Sequence, residues 1–172
     1  RKAEIPLRRK DRTGNDPLII AGGPCATANP LPLSDFIDVF VIGEAEVVLN
    51  DFLDLYLDLK NNGRFNMNDL SPFLDIESLY ISEFKNKAKI AILDDMNNAY
   101  QLTRPIITQT DDDDLMPVFS NSIFLNVSRA CTRGCRFCMS SYLYRPQREV
   151  NADLLVDTAL KISENTGLKK IN

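Results

Sequence analysis

DPLIIAGGP, residues 16–24, and DVFVIGEAE, residues 38–46, are two short apolar runs, and each stops at a glycine turn. Runs of this length bounded by turn residues are expected to form buried strands. Between them lies CATANPLPLSDF, a proline-bearing loop in which Ser34 is placed to cap a short helix. After the second run, EVVLNDFLDLYLDLKNNG carries Val48, Phe52, Leu55 and Leu59 at helical spacing, with Gly63 as the stop. Glu44 and Glu46 suit the positive end of that helix. Strand, turn and helix, twice over, predict an α/β arrangement: a parallel sheet with crossover helices. Gly22 and Gly23 serve backbone geometry in the first turn, or a ligand beside it.

The rest of the chain divides by composition. Residues 1–64 form the first region, which resembles the C-terminal half of a Rossmann-like domain. Residues 65–120 read as a linker with some strand, at SLYIS (78–82) and AKIAILDD (88–95). The run DDDDL (111–115) reads as a solvated loop, with a divalent-metal site as the alternative. Residues 121–172 open with SIFLNVS (122–128), an alternating strand. NADLLVDTALKISENTG then predicts a helix with Asn151 as N-cap and Gly167 at its end, and KKIN begins another strand.

Histidine is absent. That removes His-based triads, His general bases and His-ligated zinc from this chain. The net charge is −4, so there is no overall attraction to nucleic acid or an acidic membrane. No apolar run approaches the roughly 18–20 residues that span a bilayer. No apolar signal core follows the basic RKAEIPLRRKDR start, and a cytoplasmic location is expected. In that reducing compartment clustered cysteines point to metal or redox chemistry.

Three of the four cysteines are clustered, in CTRGCRFC (131–138). They fall between the strand and the helix of the third region, where α/β folds build their sites. Cys131, Cys135 and Cys138 can wrap one side of a metal centre. A structural zinc site commonly uses four ligands, and so do many iron–sulfur clusters. Three thiolates on a cluster leave one iron open. Zinc and inert thiols are the competing readings, and Cys25 reads as a lone small residue in a turn. Tyr142 and Tyr144 read as packing residues. Arg129, Arg133, Arg136, Arg145 and Arg148 stand among or near the cysteines with no intervening carboxylate, which favours thiolates and offsets a reduced cluster's charge.

The three-then-two spacing, with Phe137 before the last cysteine, resembles the signature of the radical S-adenosylmethionine (radical SAM) enzymes. LNVSRACTRGCRFCMSSYLYRPQRE and IPLRRKDRTGNDPLIIAGGPCATANPLPLSDFIDVFVIGEAE are similar to a subgroup with an N-terminal cobalamin-binding-like Rossmann domain. The resemblance covers residues 5–59 and 122–150 well and the region between them loosely. It implies a 4Fe-4S cluster on Cys131, Cys135 and Cys138, with S-adenosylmethionine on the open iron and Phe137 near its adenine. Arg133, Gly22 and Gly23 complete the candidate cofactor-binding set, and no catalytic side chain is assigned. The subgroup also implies cobalamin, although the histidine that ligates cobalt in many such domains has no counterpart here.

The implied chemistry is reductive cleavage of S-adenosylmethionine to methionine and a 5′-deoxyadenosyl radical, which abstracts hydrogen from a substrate of unknown class. An electron donor is the implied partner. The third region holds about 50 residues, against roughly 200 or more for a full (β/α) barrel. The chain is therefore expected to be an internal fragment carrying the first β-α unit of the barrel. Exposed fragment edges would favour an oligomer. The alternative from another class is a non-catalytic metal-binding interaction module with a structural iron–sulfur or zinc centre.

Overall fold

The computed structural model describes residues 3–107, 119 and 122–171. The DDDDL run lies outside them. The chain forms two compact units, Arg1–Leu93 and Asp94–Asn172, and its class is mixed α/β with small parallel and mixed sheets.

The first unit is built on strand β2 (Val39–Val41). Its parallel neighbour β1 (Ile20–Ala21) pairs Ile20 with Val39 and Ala21 with Phe40. Consecutive residues of a strand face opposite ways. Val39 and Val41 accordingly join a cluster with Val48, Phe52, Leu59, Leu70 and Phe73, whereas Phe40 and Ile42 pack with Ala26 on the other side. Both faces are covered, so the strand reads as an unbroken apolar run rather than an alternating one.

Between β1 and β2 the chain forms helix α1 (Pro24–Ala28) and a 3₁₀ turn (Leu31–Leu33). The helix begins earlier than Ser34. Gly23 leads into it with φ +87°, Pro24 occupies its first turn, and Pro30 ends it by holding Asn29 extended. Ser34 closes the 3₁₀ turn instead, its backbone N–H donating to Leu31 O. Helix α2 (Ala45–Asn61) buries Val48, Phe52 and Leu59 and half-buries Leu55, matching the periodic pattern. Gly63 follows its end in the left-handed region, at φ +64°.

Beyond Gly63 the chain does not leave the unit. Strand β3 (Leu79–Tyr80) adds antiparallel to β2, so the sheet is mixed rather than wholly parallel. Leu70, Phe73, Leu79, Ile81 and Ala91 belong to the same apolar cluster as α2. Leu79 lies in β3, within the SLYIS run that reads as strand, whereas Leu70 and Phe73 enter the core around a 3₁₀ turn (Ser71–Asp75) and follow no regular period, which gives the segment the look of a linker.

Both ends of β2 are tied down. Asp38, 1% exposed, pairs with the buried Arg12 at 2.9 Å and accepts the Ile19 N–H at 2.7 Å. The same guanidinium donates to the carbonyls of Pro6, Leu7 and Phe36. At the other end Gly43 (φ +104°) bridges Ala91, whose N–H donates to Ile42 O and whose carbonyl accepts from Glu44 N–H. Glu44 does not cap α2 with its side chain. Its buried carboxylate accepts the Leu93 N–H at 2.5 Å.

In the second unit β4 (Ser122–Ile123) pairs in parallel with β7 (Lys170–Ile171), and helix α4 (Ala152–Thr166) lies between them in sequence. Asn151 caps α4 by accepting the Asp153 N–H, and Gly167 ends it at φ +76°. The SIFLNVS run is not one strand. It breaks after Ile123 and resumes as β5 (Ser128–Arg129), which pairs antiparallel with β6 (Arg148–Glu149). Helix α3 (Ser140–Leu143) lies within the loop that this ladder closes.

Two substitutions test the ties on β2. A Cβ at Gly43 would fall 2.2 Å from Ala91 O, whereas at Gly63 it meets nothing within 4 Å. Gly43→Ala is expected to cost on the order of 3 kcal/mol and Gly63→Ala about 1 kcal/mol, read by urea denaturation followed by circular dichroism. Equal costs would show that the Gly43–Ala91 approach is not this close. Arg12→Ala leaves Asp38 buried without its cation and is expected to cost roughly 3–5 kcal/mol; a loss under about 1 kcal/mol, the range of an exposed pair, would contradict this.

Candidate metal centre

The cysteine loop is held at its base by the β5–β6 ladder, where Arg129 pairs with Arg148. Arg148 is buried. Its Nε donates to Pro146 O at 2.9 Å and its Nη2 to Tyr144 O at 2.8 Å, so it fixes the returning limb of the loop. Further out, the Tyr142 hydroxyl donates to Gly134 O at 3.3 Å, and the Arg145 guanidinium lies 5.0 Å from the Tyr142 ring centroid. Tyr142 therefore fastens α3 to the middle of the loop, a specific role beyond packing. Ala130 (φ +67°) and Gly134 (φ +63°) provide two left-handed turns. The Cys138 N–H donates to Cys135 O at 3.1 Å, and the Arg133 backbone N–H donates to Cys131 Sγ at 3.5 Å.

All four cysteines are free thiols. Cys135 and Cys25 are exposed, and Cys131 and Cys138 are half-buried. The three loop sulfurs share one short segment without converging. Among the described residues, no three Cys, Asp or Glu side chains form a group that would hold a metal ion. Donor chemistry is what fits an iron–sulfur cluster: three thiols within eight residues, no carboxylate among them, and an amide N–H already directed at one sulfur. Ser141, three residues past Cys138 and 1% exposed, has a hydroxyl without a partner among the described residues.

Phe137 is 91% exposed at the tip of the loop. Arg133 and Arg136 are also exposed and make no ion pair among the described residues. The five arginines are therefore not one basic surface, because Arg148 is an internal strut and Arg145 stacks on Tyr142. Sequence reasoning missed the Arg148 role, since nothing in the spacing of the arginines separates it from its neighbours. Gly22 and Gly23 belong to the first unit, as does Cys25 on α1. A Cβ at Gly22 would meet Val41 at an ordinary 3.5 Å, while Gly23 needs its positive φ to start α1. A backbone requirement for glycine is thus present at Gly23 and not at Gly22.

Residues 1–82 match the family model described as radical SAM proteins, N-terminal. The match supports a radical SAM N-terminal region and falls within the first unit. An uncharacterized protein of Methanocaldococcus jannaschii, MJ0966, is 29% identical over 172 residues, covering 95% of this chain and 32% of its own length. The chain thus spans about a third of that relative. No solved structure matches it. No helix among the described residues is long and apolar enough to cross a membrane.

The loop fasteners carry a direct test. Tyr142→Phe removes one hydrogen bond, a net contribution of about 1 kcal/mol, and is expected to raise amide hydrogen exchange across residues 131–138 about fivefold. Unchanged exchange there would show that Tyr142 does not hold the loop.

Proposed function

We propose that this chain carries the cluster-binding part of a radical SAM enzyme. Cys131, Cys135 and Cys138 would each supply one thiolate to a 4Fe-4S cluster, and Cys25 would supply none. The observation that carries this is the placement of three free thiols on one loop that is pinned at its base and open at its tip. The family match over residues 1–82 supports it independently, because it rests on a different unit. With S-adenosylmethionine bound, such a cluster supplies reductive cleavage of the cofactor's carbon–sulfur bond. The electron donor and the substrate are external to the chain.

Residues of this chain have defined parts in that scheme. Phe137 offers an exposed aromatic face for the adenine to pack against. The Arg133 N–H stabilises the Cys131 sulfur, and its guanidinium, with that of Arg136, lowers the energy of added negative charge. Arg148 and Tyr142 keep the loop's path. The β4–α4–β7 segment would be the first β-α unit of a barrel. The first unit would be part of a Rossmann-like domain related to cobalamin-binding ones, with Gly22 and Gly23 in its first turn. Cobalamin itself has no histidine here to ligate its cobalt. A reducing, cytoplasmic setting suits free thiols.

Anaerobic reconstitution with iron and sulfide tests this. About four irons per chain are expected, with a broad visible absorption that shifts on adding S-adenosylmethionine. Cys131→Ala, Cys135→Ala and Cys138→Ala should each lose most of the iron, and Cys25→Ala should keep it. Equal iron loss in Cys25→Ala would overturn the three-ligand assignment. A colourless protein with one tightly held zinc would favour the structural module instead.

A further inference from the structure

We infer that helix α2 docks against the same helix of a second copy of this chain, antiparallel, through the flank formed by Leu49, Leu53 and Leu57. This inference is independent of the cysteine loop and of the function proposed for it.

The helix carries more apolar surface than its own unit covers. Val48, Phe52 and Leu59 fill the core, and Leu55 and Tyr56 are half-buried beside them. That stripe alone satisfies the pattern of a helix packed on one face, and the remaining surface of such a helix is ordinarily polar. Here Leu49, Leu53 and Leu57 recur every four residues on the adjoining flank, 44%, 42% and 52% exposed. Residues four apart are neighbours on a helix surface, so the three form one continuous ridge rather than scattered single side chains.

The charges at the ends of the ridge select the occupant. The helix is symmetric about Leu53: Leu49 and Leu57 stand four residues to either side, and Glu46 and Lys60 stand seven. Seven residues are close to two turns, so Glu46 and Lys60 lie nearly in line with Leu53, each about 10 Å from it along the axis. In an antiparallel pair centred on Leu53, that leucine meets its own counterpart. Leu49 comes level with Leu57 of the second copy, and Glu46 with its Lys60, at both ends together. A two-fold contact joins one patch to itself, and so requires a patch that is complementary to itself. An acid at one end of the ridge and a base at the other meet that requirement, whereas a parallel pair would set like charges together. The Lys60 ammonium is kept beside the ridge, 5.7 and 4.8 Å from the ring centroids of Tyr56 and Phe65. A lipid surface suits the helix less well. Its polar face carries Asp51, Asp54 and Asp58, where helices that lie on anionic membranes carry lysine and arginine.

Sedimentation velocity of the 172-residue chain, with a reductant to keep its free thiols from cross-linking, tests the pairing. A reversible dimer with Kd on the order of 10–100 μM is expected, because one helix pair is a small interface. Leu53→Asp should leave a monomer over the same range. Glu46→Lys and Lys60→Glu should each weaken the dimer about tenfold, since each sets like charges together at both ends. An equimolar mixture of those two variants should dimerise about as well as the unaltered chain, because every lysine then faces a glutamate. All three positions are exposed, so folding is expected to persist, and circular dichroism checks it. A chain that stays monomeric up to about 500 μM, a dimer unchanged by Leu53→Asp, or a mixture that associates no better than its components would overturn the inference. A monomer that binds phosphatidylglycerol vesicles, and loses them on Leu53→Asp, would assign the ridge to lipid and overturn it as well.

Discussion

Strand β2 is buried on both faces, and the first unit is organised around that constraint. A strand in such a place must have its polar ends satisfied by protein rather than by water. At the entry, Asp38 is answered by Arg12, whose guanidinium also gathers three backbone carbonyls. At the exit, Gly43 and Glu44 are answered by Ala91 and Leu93. These two ties enlist segments that are otherwise irregular. The N-terminal stretch is held because Arg12 must reach Asp38, and the chain after β3 is held because Ala91 must reach Gly43. A side chain at residue 43 would block that approach, so the smallest residue stands at the tightest contact.

The second unit follows a different logic. Its apolar interior is modest, and the cysteine loop is positioned by local fasteners. A ladder of two residues on each side closes the base, a buried arginine fixes the returning limb, and a tyrosine hydroxyl holds the middle. The tip, with Phe137 and Cys135, stays exposed. That division suits a loop that must keep its path while presenting thiols outward, because side chains that are not packed can turn toward a shared centre at small cost.

Some of this was legible without coordinates. The α2 helix was visible because Val48, Phe52, Leu55 and Leu59 repeat at the spacing of a helix face. The α4 helix was visible through Asn151 and Gly167, whose chemistry marks helix ends locally. The parallel pairing of β1 with β2 followed from two apolar runs separated by a crossover. In contrast, SLYIS reads as a strand but nothing in it sets the direction of β3, and Leu70 and Phe73 enter the core around a 3₁₀ turn without a regular period. The mixed sense of the sheet was therefore hidden, as was the break in SIFLNVS, where pairing with β6 rather than local preference decides the strand.

By itself the sequence determined the α2 and α4 helices and the clustering of three cysteines in eight residues, because these depend on residue identity and short-range spacing. Tertiary structure alone decided which charges are internal. Arg12 and Arg148 sit in runs of arginines that look alike in sequence, yet both are buried struts, while Arg8 and Arg133 remain exposed. For Arg12 the physical reason is that its ionic partner is brought from elsewhere in the chain: Asp38 lies 26 positions away. No local pattern encodes that distance, and only the folded backbone closes it.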